Sequence, residues 1–221
     1  MATTTRTKKR KLKKKRIIIA MVVLVAIIAA ASFGVYKLCF NKKEVKTVAT
    51  VTDEIANGYN YTITDEATKY SKQLFDDLKK ELSKDSVNEE KYAKLEAQLF
   101  VSEFFTLSNK VNRNDVGGVQ FIYPDYQESF QKEAMDENGL YHYLENDIYG
   151  DRKQELPEIV NVDVINVEQK AYTLNDEVTD EQAFYIDVTM NYEKDLGYQK
   201  SATVVLIHNG KRLDIVKMTE K

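Results

Sequence analysis

The feature that most constrains this chain is a change of hydrophobic period at Pro157. Before it, apolar residues recur every three or four positions, the repeat of a helix with one buried face. After it, "EIVNVDVINVE" and "AFYIDVTMNYE" alternate apolar and polar residues, the repeat of a strand with one buried and one wet face. A run of helices followed by a run of strands predicts an α+β domain, three helices packed on a four-stranded antiparallel meander.

The spacing predicts helices over about 64–83, 87–109 and 124–149, and strands over about 158–168, 182–193, 200–208 and 211–218. Thr64 has the chemistry of an N-cap, with Asp65 and Glu66 where the helix dipole favours acids. Ala67, Tyr70, Leu74, Leu78 and Leu82 form the first apolar stripe. Ser86 and Glu89 have capping-box spacing ahead of the second helix. That helix carries Tyr92, Leu95, Leu99, Phe100, Phe104, Phe105 and Leu107, too broad an apolar surface for one contact, so it is expected at the centre. Pro124 suits a helix start, and the third helix is expected to loosen at Asn138-Gly139 and end at Gly150. Asn209-Gly210 is a strong hairpin signal between the last two strands.

The first forty residues impose a different constraint. Nine bases and no acid stand in residues 1–16: Arg6, Lys8, Lys9, Arg10, Lys11, Lys13, Lys14, Lys15 and Arg16. Twenty uncharged, mostly apolar residues follow, Ile17–Tyr36. As a helix they would span about 30 Å, the thickness of a bilayer core. The basic excess precedes the span, so the expected topology is a cytoplasmic N-terminus and an extracytoplasmic C-terminal domain. The same basic block is placed to contact anionic lipid of the inner leaflet. The expected organisation is a basic tail (1–16), a transmembrane helix (17–39), a stalk (40–62) and an extracytoplasmic domain (63–221). A competing reading is a signal peptide cleaved near Ala31, which would make the domain a secreted one. A basic nucleic-acid-binding tail ahead of a core helix accounts for the charge block but not for the apolar run.

Composition narrows the chemistry. Residues 51–221 hold 34 acids against 19 bases, a net charge of −15. Such a domain repels phosphate backbones, so no direct nucleic-acid binding by it is expected. The lone Cys39 forms no internal disulfide and supplies no multi-cysteine zinc site. His208 flanks a hairpin, and His142 lies within the expected third helix; neither has a Ser or Cys placed nearby for nucleophilic catalysis. The carboxylate runs match no calcium loop, and Asp163 and Asp187 fall on the wet face of the alternation. Gly117-Gly118 lacks the strand, further glycines and lysine of a phosphate loop and reads as a turn. No catalytic residue, metal ligand or cofactor is expected. Tyr59, Tyr61, Tyr123 and Tyr126 fall in or beside loops and are the candidate interface aromatics.

This order of parts resembles the bitopic scaffold subunits of type IV secretion and conjugation systems. The residues that carry the resemblance are the span Ile17–Tyr36, "TDEATKYSKQLFDDLKK", "KYAKLEAQLFVSEFFTL" and the meander from Glu158 to Met218. It is a resemblance of architecture and brings no functional residues with it. It implies a nuclear-transport-factor-2-like, cystatin-like cone outside the membrane. It further implies a non-enzymatic part that contacts the bilayer and other membrane-complex proteins and forms homo-oligomers. The alternative that the residues leave open is a membrane-anchored ligand-binding or sensory domain using the cavity between sheet and helices.

Overall fold

The computed structural model describes residue 46 and residues 49–175 and 178–221. The basic tail, the apolar span Ile17–Tyr36 and Cys39 lie outside the described residues. Among the described residues, no helix is long and apolar enough to cross a membrane.

Among the described residues the fold is α+β, with three α-helices and a four-stranded antiparallel sheet. Its elements are β1 (Val51–Ile55), β2 (Tyr61–Thr64), α1 (Lys69–Leu82), α2 (Glu89–Phe105), α3 (Gln127–Met135), β3 (Ile159–Asn175), β4 (Val178–Tyr192), β5 (Ser201–Asn209) and β6 (Arg212–Glu220). Single 3-10 turns at Val119–Phe121 and Pro124–Tyr126 precede α3. The sheet runs in the order β3-β4-β5-β6, the meander expected from the alternation. Phe184, Ile186, Val188 and Met190 of β4 point into the core, and Tyr185, Asp187 and Thr189 do not. Asp163 is exposed and Asp187 half-buried on the wet face, as the alternation requires.

Residues 51–62, expected as stalk, belong instead to the domain. β1 and β2 form an antiparallel hairpin that buries Ile55, Tyr61 and Ile63. Asn57, Gly58 and Asn60 take left-handed φ values of 63°, 93° and 55° to close it, a conformation Asn and Gly tolerate best. Thr64 ends β2 and does not cap a helix. Asp65 Oδ1 accepts from Thr50 N at 2.8 Å, and Asp65 N donates to Thr50 O at 2.9 Å, which commits that residue to the hairpin. The cap of α1 is Thr68, whose Oγ1 accepts from Ser71 N. Likewise Asn88, not Ser86, caps α2, its Oδ1 accepting from Lys91 N at 2.8 Å.

Helix α2 is buried over most of its surface from Tyr92 to Phe105, with Lys94, Gln98 and Glu103 half-exposed. It stops at Phe105 because Leu107 N and Ser108 N donate to Pro157 O, tying the chain to the start of β3. Helix α3 ends at Met135, well before the expected Tyr149. Asp136 N closes back on Lys132 O and Glu133 O, and Tyr141 N on Ala134 O. Gly139 makes this possible: a Cβ there would lie 2.3 Å from the carbonyl oxygens of both Ala134 and Glu133. Gly139→Ala is therefore expected to destabilise the domain by about 1–3 kcal/mol. The readout is a lower urea midpoint, and an unchanged midpoint would mean that the turn accommodates the methyl group.

β3 and β4 extend past the expected strands into a long two-stranded arm, with register shifts along β3 that bend this edge strand. In the last hairpin Asn209 pairs with Arg212, so the loop is Gly210-Lys211 and not Asn209-Gly210. Gly210 takes φ +63°, and Asn209 Nδ2 donates to Asp214 Oδ2 at 2.6 Å, which holds Asn209 in the ladder.

Candidate binding cleft

The C-terminal half of α2 presents more aromatic surface than the sheet covers. Phe100, Phe104 and Phe105 stand at spacings of four and one, so their rings spread across one broad face. Phe130 and Ala134 of α3, four apart, meet that face. The ring centroids of Phe104 and Phe130 are 5.0 Å apart, and those of Phe100 and Phe104 5.8 Å with nearly parallel planes. The facing wall is β6. Its register shifts at Val216, so Leu206 pairs with Ile215 but Val205 with Lys217. This bulge places Ile215 and Met218 on the same cleft, three residues apart. Tyr123 N donates to Ile215 O at 2.9 Å, closing one end of the β6 edge.

The result is an open cleft of about 720 Å3. Its floor is apolar. Its rim carries Tyr126, Asn138, Gln199 and the exposed, oppositely charged Glu133 and Lys217. The rim is held in place by hydrogen bonds. Tyr141 Oη donates to Phe104 O at 2.8 Å and accepts from Gly117 N at 3.0 Å, fixing the chain after α3. Tyr192 Oη donates to Gln199 O at 2.8 Å. Ser129 Oγ in the lining donates to Tyr126 O. Among the described residues the lining brings no nucleophile against a base. Its chemistry is burial of an apolar group, with hydrogen bonds and two charges available at the edge.

The sequence-derived aromatics divide into two separate pairs. Tyr123 and Tyr126 stack edge to face at 5.9 Å beside the cleft, and Tyr126 lines it. Tyr59 and Tyr61 are elsewhere. Tyr61 is fully buried and is corrected from interface candidate to core residue. Strand β2 turns its ring under Arg212, whose guanidinium lies 4.5 Å from the ring centroid. Its hydroxyl meets Tyr92 Oη at 2.6 Å and donates to Glu96 Oε2 at 3.1 Å. Tyr59 packs edge-on against Tyr92 at 5.9 Å.

His208 is held, not free. Asp180 Oδ2 accepts from its backbone N at 2.7 Å and contacts its Nδ1 at 2.8 Å, joining the β3–β4 arm to the end of β5. His142 stands in the turn after α3, not in the helix, because Gly139 has already reversed the chain; its Nδ1 contacts Met135 O at 3.3 Å. Among the described residues no group of three His, Cys, Asp or Glu side chains is placed to hold a metal ion.

Two groups were not singled out from the sequence. One is the cleft wall Phe130, Ile215 and Met218; the signal available was the surplus of phenylalanine on α2. The other is Glu96, an acid within the apolar run "KLEAQLF" of the central helix, wholly buried beside the wholly buried Asp214. Burial, and then the Asp214 charge, push the Glu96 carboxyl well above the usual range. Burial likewise raises the Tyr61 and Tyr92 hydroxyls. Asp214 is matched by Arg212 Nε at 3.0 Å and Asn209 Nδ2 at 2.6 Å.

Comparison of the chain with protein families, with curated proteins and with solved structures found no match. The class to which fold and site assign it is an α+β domain with an open, aromatic-lined cleft between helix and sheet edge.

Proposed function

We propose that the chain is a single-pass, membrane-anchored, non-enzymatic interaction protein whose cleft receives the apolar face of a partner segment. The carrying observation is the cleft: about 720 Å3 of open, aromatic-walled space, with Glu133 and Lys217 only at its rim. Open apolar space of this kind suits a partner's apolar face, with the rim charges setting its direction. The anchored topology rests on the bases Lys8–Arg16 ahead of the uncharged Ile17–Tyr36. The same order of parts supports a role as a scaffold subunit in a conjugative-transfer or type IV secretion-like assembly, with a nuclear-transport-factor-2-like external domain. The acidic balance of residues 51–221 favours protein partners and further copies of this chain over nucleic acid.

A second reading, a small apolar ligand in the same cleft, is favoured by its volume, which lies within the roughly 300–1,000 Å3 of small-molecule sites. The two are separated by affinity purification from membranes. The wild-type chain is expected to retain a membrane partner that Phe130→Glu loses by roughly tenfold, since a charge on the cleft wall must be desolvated when a partner docks. Phe130 is only half-buried, so the variant is expected to keep its fold, checked by circular dichroism. Equal retention by both proteins would remove the cleft from partner binding.

A further inference from the structure

A second pocket, distinct from the cleft, lies between β2, the start of α1, α2 and the loop at 115–120. It holds about 230 Å3, less than a typical drug-sized site. Where the cleft is apolar, this pocket is charged.

Two of its charged side chains are incompletely matched. Lys110 is only 9% exposed. Among the described residues its ammonium forms no ion pair, although it is close enough to Glu103 for the two charges to interact. Glu103 accepts only two long bonds through Oε2, from Gly118 N at 3.3 Å and Gln120 Nε2 at 3.5 Å. A buried ammonium and a largely desolvated carboxylate thus line one small space without meeting across it. Gly117 lies against the lysine: a Cβ there would stand 3.0 Å from Lys110 Nζ. Two further acids line the pocket, the exposed Glu66 and the half-buried Asp115, whose Oδ2 accepts from Val111 N. They set a negative field that disfavours a simple anion.

We propose that this pocket binds a small zwitterion of the α-amino-acid type, its ammonium held by Glu103 and its carboxylate by Lys110. A molecule carrying both charges satisfies both groups at once, and a single ion cannot. The size of the pocket limits the ligand to a short side chain. Binding requires Glu103 as a carboxylate, and burial pushes this group up to about 7, with Lys110 opposing the rise. The charged and titratable groups around it are Lys110, Asp115, Glu66 and Tyr141. Affinity is therefore expected to be about tenfold tighter at pH 8 than at pH 6.

The test is isothermal titration calorimetry of the full-length chain in detergent with L-alanine as the probe. Acetate and methylammonium serve as single-charge controls. The expected result is saturable one-to-one binding of alanine, weakened at least tenfold by Glu103→Gln or by Lys110→Met, with neither control ion competing. Glu103→Gln keeps the shape of the side chain and Lys110→Met shortens it by one atom, and thermal unfolding verifies that each variant is folded; either one alone decides the outcome. Absence of alanine binding would overturn the proposal, leaving water as the occupant of the pocket. So would equal binding of either control ion, or alanine binding that a folded variant leaves unchanged.

Discussion

Replacing Glu96 with glutamine is expected to raise the stability of the domain at neutral pH and to flatten its decline toward alkaline pH. Glu96 is wholly buried on the central helix. Its Oε2 accepts from Tyr61 Oη, and its Oε1, also buried, has no partner. The side chain lies near Asp214, whose own charge is already matched by Arg212 and Asn209. Desolvation and the neighbouring negative charge hold the folded carboxyl protonated well above its ordinary value of 4.5. In the unfolded chain the same group loses its proton near 4.5. The stability it contributes is thus full below that value and falls as pH rises toward the folded one. The loss is about 1.4 kcal/mol per pH unit in that interval. Glu103, pushed to about 7 by burial, adds a loss of the same sign between 4.5 and 7. Glutamine is uncharged in both states and keeps an acceptor for Tyr61. Urea unfolding across pH 5 to 9 should show a gain of at least about 2 kcal/mol for Glu96→Gln at pH 8, and little difference at pH 5. A variant less stable than wild type at pH 8 would mean that the carboxylate is ionised and paired in the folded state.

Phe100→Ala is expected to be the most damaging substitution on the helix–cleft boundary. Phe100 is fully buried. Its ring stacks on Phe104 and meets Phe130 at 5.9 Å. Gly118 passes so close that a Cβ there would lie 2.8 Å from the ring. The backbone of that loop is thus fitted to the aromatic face and cannot collapse fully into the space left behind. Removing the ring should cost about 3–5 kcal/mol, transfer and cavity contributions together. Phe130→Ala, on a half-buried residue with one side facing the cleft, should cost less than half as much. Equilibrium urea unfolding of both variants measures the contrast, and similar losses for the two would place the packing centre elsewhere.

The parts of the fold legible in the sequence are those with a long, regular period. The meander could be read because Phe184, Ile186, Val188 and Met190 alternate without interruption, and α2 because its apolar residues, Tyr92 to Leu107, spread too widely for one contact. Short elements gave no such signal. β1 and β2 are five and four residues long, and Tyr61 looks like a loop residue until the hairpin turns it under Arg212. The third helix is expected to run on to Gly150, only loosened at Asn138-Gly139; what ends it early is Gly139 folding the chain against two carbonyl oxygens. The cleft depends on Phe104, Phe130 and Ile215, which are distant in sequence, and on a bulge at Val216 that no local pattern announces. The charged pocket is similar: Glu103 and Lys110 are seven residues apart in a sequence rich in charge, and only the Gly117-Gly118 turn brings the wall that encloses them.

The measurement that bears most directly on the proposed role is site-specific photo-crosslinking in intact membranes, with a photoreactive phenylalanine analogue at position 130. The control is the same analogue at Ile165, which is exposed on β3 and away from the cleft. If the cleft receives a partner segment, position 130 yields a discrete protein adduct that position 165 does not, and Phe130→Glu loses partner retention in parallel. If position 130 yields no protein adduct while the protein is folded and membrane-bound, the cleft is not a protein-docking site, and the proposed role as an interaction protein acting through it is contradicted.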